Sequence, residues 1–183
     1  GYLYGMYKKL TTTHNHAFTS KGLSFGGSLL RPESTGYGIC YVTEKALNTY
    51  FNDTIKDKKV IISGAGQVGI NTALKAKDLG AKVIAISCSK GVLYDEVDLD
   101  LELIKELNSG PEELNVYLDK YPNTKYFKNP KELWNIKADI AIPCATQNEL
   151  DANDAKKLID NGLKMLVEGA NKPSTDKAIE LFI

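Results

Sequence analysis

Residues Lys59 to Ile86 hold a strand, a glycine turn, a helix and a second strand in about thirty residues, and few folds accept that order. Val60-Ile61-Ile62 is a short apolar run of the kind buried in a parallel sheet. It leads at once into Gly64-Ala65-Gly66-Gln67-Val68-Gly69, a G-x-G-x-x-G. Ile70, Ala73, Leu74, Ala76 and Leu79 then repeat at helical spacing until Gly80, and Val83 to Ile86 forms the next apolar run. Each glycine has a separate task. Gly64 permits the sharp bend out of the strand, Gly66 lets the backbone approach a pyrophosphate, and Gly69 lets the helix pack on the strand. The helix start offers unpaired N–H groups and a partial positive charge to phosphate. This arrangement points to dinucleotide binding; the alternative is a turn that serves packing alone.

The rest of the chain alternates in the same way. Gly1 to Leu10 reads as helix and Thr11 to Ser20 as a polar loop. His14 and His16 lie in that loop without a nearby cysteine or carboxylate, so no metal site is expected. Ser34-Thr35 is expected to open a helix reaching Tyr50, with Gly36 and Gly38 in its first turn. Further helices are expected at Leu99 to Asn108, Pro111 to Lys120 and Asp151 to Asn161, the last capped by Asp151 or Asn153 and stopped by Gly162. Lys125 to Phe127, Ala138 to Pro143 and Met165 to Val167 read as strands, and Pro130 to Trp134 as a helical turn. The expected fold is α/β, a Rossmann-type doubly wound sheet forming a dinucleotide-binding domain at residues 34–183. Residues 1–33 are expected to be a connecting segment packed on that domain.

Composition excludes several functions. The 23 basic and 23 acidic residues cancel, so no net field favours nucleic acid or an anionic membrane. No apolar run is long enough to span a bilayer, and no signal-peptide pattern is visible. Cys40, Cys88 and Cys144 are far apart and odd in number, which points to free thiols in a reducing, cytoplasmic setting. The chain starts at Gly1 without an initiator methionine and ends inside an amphipathic pattern, Asp176 to Ile183. It is therefore expected to be a piece of a longer polypeptide.

In an open sheet the ligand lies beyond the carboxyl ends of the strands. Small or polar residues collect at those ends here: Gly64 to Gln67, Ser87-Cys88-Ser89-Lys90-Gly91, Pro143 to Asn148, and Glu168-Gly169-Ala170-Asn171. An NAD site usually carries an acid about twenty residues after the glycine turn. Ser87-Cys88-Ser89-Lys90 stands there instead, and its hydroxyls and cation suit a 2′-phosphate, so NADP is expected. Asp95 and Glu96 lie close enough in sequence to keep NAD possible through dual specificity.

Four stretches carry a family resemblance. Lys21 to Ser28, Arg31-Pro32-Glu33-Ser34-Thr35-Gly36-Tyr37-Gly38, Pro143-Cys144-Ala145-Thr146-Gln147-Asn148-Glu149-Leu150 and Glu168 to Pro173 closely resemble the hexameric, NADP-type glutamate dehydrogenases. The resemblance runs from about Lys21 to the end. It implies the reversible oxidative deamination of L-glutamate to 2-oxoglutarate and ammonia, in a homohexamer when full-length. It places Arg31 and Thr35 near the nicotinamide and Gly66, Gln67 and Val68 on the pyrophosphate. Ser87, Ser89 and Lys90 fall near the adenosine ribose phosphate, while Ala145, Thr146 and Asn171 flank the two halves of the cofactor. The family's catalytic lysine and aspartate belong to a separate substrate domain, and nothing in this sequence matches them. Two departures stand out. The family commonly has Asn and Ala where this chain has Gln67 and Gly69, and its NADP-type members commonly have an acid where this chain has Cys88. Leucine- or phenylalanine-type dehydrogenases, or a nucleotide-binding module without chemistry, are the alternatives.

Overall fold

The computed structural model describes residues 1–11, 18–109 and 115–183. Six strands form one sheet: β1 (Lys59–Ser63), β2 (Lys82–Cys88), β3 (Gly91–Tyr94), β4 (Lys125–Phe127), β5 (Ile140–Pro143) and β6 (Met165–Leu166). Their spatial order is β4-β3-β2-β1-β5-β6. The pairs β2–β1, β1–β5 and β5–β6 are parallel, whereas β3 and β4 are added antiparallel beyond β2. The chain therefore builds outward from β1 on one side, then returns to the other side with β5. That reversal opens a crevice at the carboxyl ends of β1 and β5.

Alternation along the central strands fills both faces of the sheet. Val60, Ile62, Ile140 and Ile142 enter one core with Ile39, Leu47, Ile70, Ala73 and Ile104. Ile61 and Ala141 enter the other with Leu133, Trp134, Ala155, Leu158 and Ala178. On β2, Val83 and Ile86 face the first core, but Ile84 and Ala85 both face the second. Strict alternation forbids that pattern. The register supplies the reason: Val60 opposes Val83 and Ile61 opposes Ala85, so β2 carries one extra residue at a bulge.

The helices are α1 (Tyr2–Leu10), α2 (Arg31–Ala46), α3 (Gln67–Asp78), α4 (Leu101–Ser109), α5 (Asn115–Lys120), α6 (Ala152–Asp160) and α7 (Asp176–Phe182). Short 3₁₀ turns occur at Leu23–Phe25 and Pro130–Asn135, and α2 runs on into a π turn at Leu47–Phe51. Helix α2 starts three residues before the expected Ser34. Pro32 suits a first turn, where its missing N–H costs nothing, and the Ser34 hydroxyl donates back to the Arg31 carbonyl from inside the helix. Asp151 caps α6 in a reciprocal box with Asp154. Helix α1 buries no residue, and its rings meet Phe18. His14, His16 and the first residues of the helix expected from Pro111 lie outside the described residues.

One strand was not expected. After β2 the chain makes a two-residue turn at Ser89-Lys90 and returns as β3, with Cys88 opposite Gly91. Gly91 takes a φ of +152°, and a Cβ there would lie 2.3 Å from the Phe127 carbonyl oxygen. Four residues are too few to show a period, and Ser-Lys is not a characteristic hairpin pair.

The glycines of the turn differ in what surrounds them. Gly64 has a φ of +78°, and a Cβ there would come within 2.8 Å of the Ala145 Cα. A Cβ on Gly69 would sit 1.7 Å from the Gly64 carbonyl oxygen, whereas one on Gly66 would meet nothing within 4 Å. Gly69→Ala should therefore lower stability by about 1–3 kcal/mol, since backbone lies on the obstructed side. Gly66→Ala, at an ordinary φ of −72°, should leave stability within about 1 kcal/mol of the parent. Urea unfolding midpoints check the pair, and equal effects would contradict this packing.

Candidate dinucleotide-binding site

Helix α3 begins at Gln67 with Gly66 as its cap and carries no acid in its first turn. Its leading N–H groups have no intrahelical partner, and its positive end is not neutralised by its own side chains. Lys75 and Lys77 complement the opposite end. Helix α2 packs closely beside it: a Cβ on Gly36 would lie 2.6 Å from the Thr72 nitrogen. The Asn71 amide donates to the Pro32 carbonyl at 3.3 Å, which ties the two helix starts together.

Two clefts flank this helix start. One, of about 320 Å³, lies between the ends of β1, β2 and β5 and the 3₁₀ turn at Pro130. Gly64, Ser87, Ser89, Ala145 and Thr146 line it, with Cys88, Lys131, Trp134 and Glu149. The other, of about 460 Å³, is lined by Arg31, Gln67, Lys21, Ser28 and Glu33 among others. The expected residues thus fall on the two sides of one helix N-terminus. Thr35 is exposed on the first turn of α2, next to Gly36. Val68 is half-buried in the first turn of α3 and packs against the core. Asn171 is exposed in the loop after β6. That loop is stitched to the one after β5 by the Asn148 N–H on the Lys172 carbonyl and the Leu150 N–H on the Pro173 carbonyl, each at 3.0 Å.

The end of β2 differs in detail from its sequence reading. Ser87 is only 5% exposed, and its hydroxyl accepts from the Gly64 N–H at 3.3 Å, so it braces the glycine turn from below. Ser89 and Lys90 are exposed at the hairpin tip, where the Tyr126 hydroxyl donates to the Lys90 carbonyl at 2.6 Å. Because β3 runs antiparallel, it carries Asp95 back to the opposite edge of the sheet. The Asp95 N–H donates to the Ile84 carbonyl, and Glu96 pairs with Lys125 at 3.7 Å. Neither acid reaches the cleft, so neither supplies the carboxylate that would stand opposite ribose hydroxyls there.

Sequence reasoning gave no role to Ser63, Lys131, Trp134 or Glu149. The Ser63 hydroxyl, buried at the end of β1, accepts from the Cys144 N–H at 2.8 Å and also hydrogen-bonds the Glu149 carboxyl. Glu149 Oε1 accepts from the Ala145 N–H at 3.0 Å and the Thr146 N–H at 3.4 Å. Burial raises the Glu149 carboxyl above its ordinary range, against the lowering effect of these hydrogen bonds. Lys131 reaches Asp151 at 2.5 Å and Asp154 at 2.9 Å, which fixes the 3₁₀ turn to the start of α6. Burial pushes the Cys40 and Cys144 thiols up to about 12, so both are inert packing groups. Ser63 at the end of β1 and Ser87 next to the end of β2, where aliphatics would otherwise stand, were the available signal. Lys131 and Trp134 carried none, because only the tertiary fold brings their turn to the strand ends. Among the described residues no cluster of His, Cys, Asp or Glu forms a metal site, and no helix is long and apolar enough to cross a membrane.

The open approach at Gly66, the unneutralised start of α3 and the crevice beside it together fit a dinucleotide pyrophosphate. The chain is similar to known proteins along its whole length. The chain is 47% identical to the NAD-specific glutamate dehydrogenase of Bacteroides fragilis, over its whole length and 42% of that protein. It is 45% identical to the NADP-specific glutamate dehydrogenase of a Psychrobacter species, over 98% of the chain and 40% of that protein. The crystal structure of Plasmodium falciparum glutamate dehydrogenase superposes with a TM-score of 0.88 at 38% identity, covering the whole chain and 39% of that structure. The chain thus spans about two fifths of the length of the relatives it matches. Residues 26–183 match the description of the glutamate/leucine/phenylalanine/valine dehydrogenases, and the chain belongs to that family.

Proposed function

We propose that this chain is the cofactor-binding part of an NADP-preferring glutamate dehydrogenase. The observation that carries the reading is the bare approach at Gly66, where a Cβ would meet nothing within 4 Å, at the start of a helix with no acid in its first turn. Gly64, Gly66, Gln67 and Val68 would hold the pyrophosphate. Ala145 and Thr146 would face the adenosine side with Ser87 and Ser89, and Lys90 would supply charge at the hairpin tip. Arg31, Thr35 and Asn171 would meet the nicotinamide side. When bound, the nicotinamide exchanges a hydride with the substrate's Cα, interconverting L-glutamate and 2-oxoglutarate with ammonia. The chain's own part is to fix the dinucleotide so that the reacting atoms meet in a near-attack geometry. None of its residues is assigned to catalysis.

Residues 34–183 form the dinucleotide domain in this reading, and residues 1–33 connect it to the rest of the enzyme. The whole protein would work as a cytoplasmic homohexamer, in keeping with three free cysteines. Both NAD-specific and NADP-specific relatives resemble the chain, so the preference rests on the end of β2. There the Ser87 and Ser89 hydroxyls line the cleft, with Lys90 beside them at the hairpin tip, and donors of this kind suit a 2′-phosphate.

Two predictions test this reading. Gly66→Val puts a branched side chain where the pyrophosphate must lie, yet into space the fold leaves open. Calorimetry should show NADPH affinity falling about tenfold or more, or at least about 1.4 kcal/mol, with the melting temperature nearly unchanged. Unchanged affinity would place the cofactor elsewhere. The parent should bind NADPH more tightly than NADH, and added salt should weaken NADPH binding more, since it carries the extra charge. Equal affinities in the parent at low salt would overturn the NADP assignment.

A further inference from the structure

Glu149 is the one carboxylate lining the 320 Å³ cleft. A carboxylate facing phosphates is unfavourable unless its lone pairs are occupied, and here they are. The Ala145 and Thr146 N–H groups donate to Oε1, and the Ser63 hydroxyl hydrogen-bonds the same carboxyl. The backbone behind Glu149 is anchored, because Leu150 is fully buried and its N–H donates to the Pro173 carbonyl. The side chain therefore reaches back from a fixed point and closes the loop at residues 145–148 onto the end of β1. Ala145 is also the residue that Gly64 packs against. A shift of the loop changes the distance between the glycine turn and the facing wall.

We propose that Glu149 is a positioning residue for the dinucleotide: its carboxylate holds the Ala145–Thr146 loop in the shape that admits the adenosine half. The inference rests on the reading of this cleft as a dinucleotide site. Glu149 turns toward its own loop and does not serve as the ribose acid absent from β2. The other titratable groups around it are the Cys88 and Cys144 thiols and Lys131, whose ammonium is committed to Asp151 and Asp154. Protonation removes acceptor capacity from the carboxyl, and burial brings that event to higher pH than for an exposed glutamate. The loop should therefore loosen as pH falls.

The test is titration of ADP-ribose against the 183-residue chain, Glu149→Ala and Glu149→Gln between about pH 5 and 8. At pH 8 Glu149→Ala should bind about tenfold more weakly or worse. Glu149→Gln, the uncharged counterpart of the protonated acid, should bind at pH 8 about as the parent does at pH 5, more weakly than the parent at pH 8 and more tightly than Glu149→Ala. As pH falls the parent should lose affinity, and Glu149→Gln should lack that loss. Equal binding by Glu149→Ala and the parent would overturn the proposal, as would the same pH profile in the parent and Glu149→Gln. If Glu149→Ala fails to fold, the pH comparison decides alone. A parent that binds no ADP-ribose at any pH overturns the dinucleotide reading itself and this inference with it.

Discussion

The structure depends on how closely α3 approaches the turn that starts it. The Gly64 carbonyl occupies the place where a side chain on residue 69 would stand, so the helix keeps this close seat because residue 69 is a glycine. That seating aims the helix N-terminus over the carboxyl edge of the sheet. It also sets Gly64 against Ala145, which joins the turn after β1 to the loop after β5. Because β1 and β5 are neighbours in the sheet yet distant in sequence, their loops diverge and leave a crevice. The positive end of α3 and the crevice thus come from one packing constraint.

Hydrogen bonds then stiffen the crevice from within. Ser87 supports Gly64, Ser63 supports Cys144, and Glu149 gathers Ala145 and Thr146. Two strand-end serines and one glutamate satisfy backbone N–H groups that the sheet leaves unpaired where its strands diverge. Lys131 adds a charged tie between the cleft wall and α6. Each of these polar groups serves loop geometry.

The parts of the fold that depend on local pattern were legible in the sequence. β1, α3 and β2 follow from an apolar run, a glycine turn and a helical repeat, and Asp151 announces the cap of α6. The hairpin at Ser89-Lys90 was not legible, because β3 is too short to show a period and is held by its partners β2 and β4. That omission had a functional consequence. Without β3, Asp95 reads as a neighbour of the β2 terminus; with it, Asp95 stands beside Ile84, away from the cleft. Glu149 lay within a recognisable motif, but its partners include Ser63, far away in sequence, so only the tertiary structure exposes its role.

The central claim is that the glycine turn and the loop after β5 form the two walls of one dinucleotide site. Amide chemical-shift mapping during an NADPH titration tests it most directly. The account predicts that the largest changes fall on Gly64 to Gly69 together with Ala145 and Thr146. Changes concentrated instead around Leu166, Leu181 and Phe182, which line a separate apolar groove beside β6, with the glycine turn silent, would contradict it.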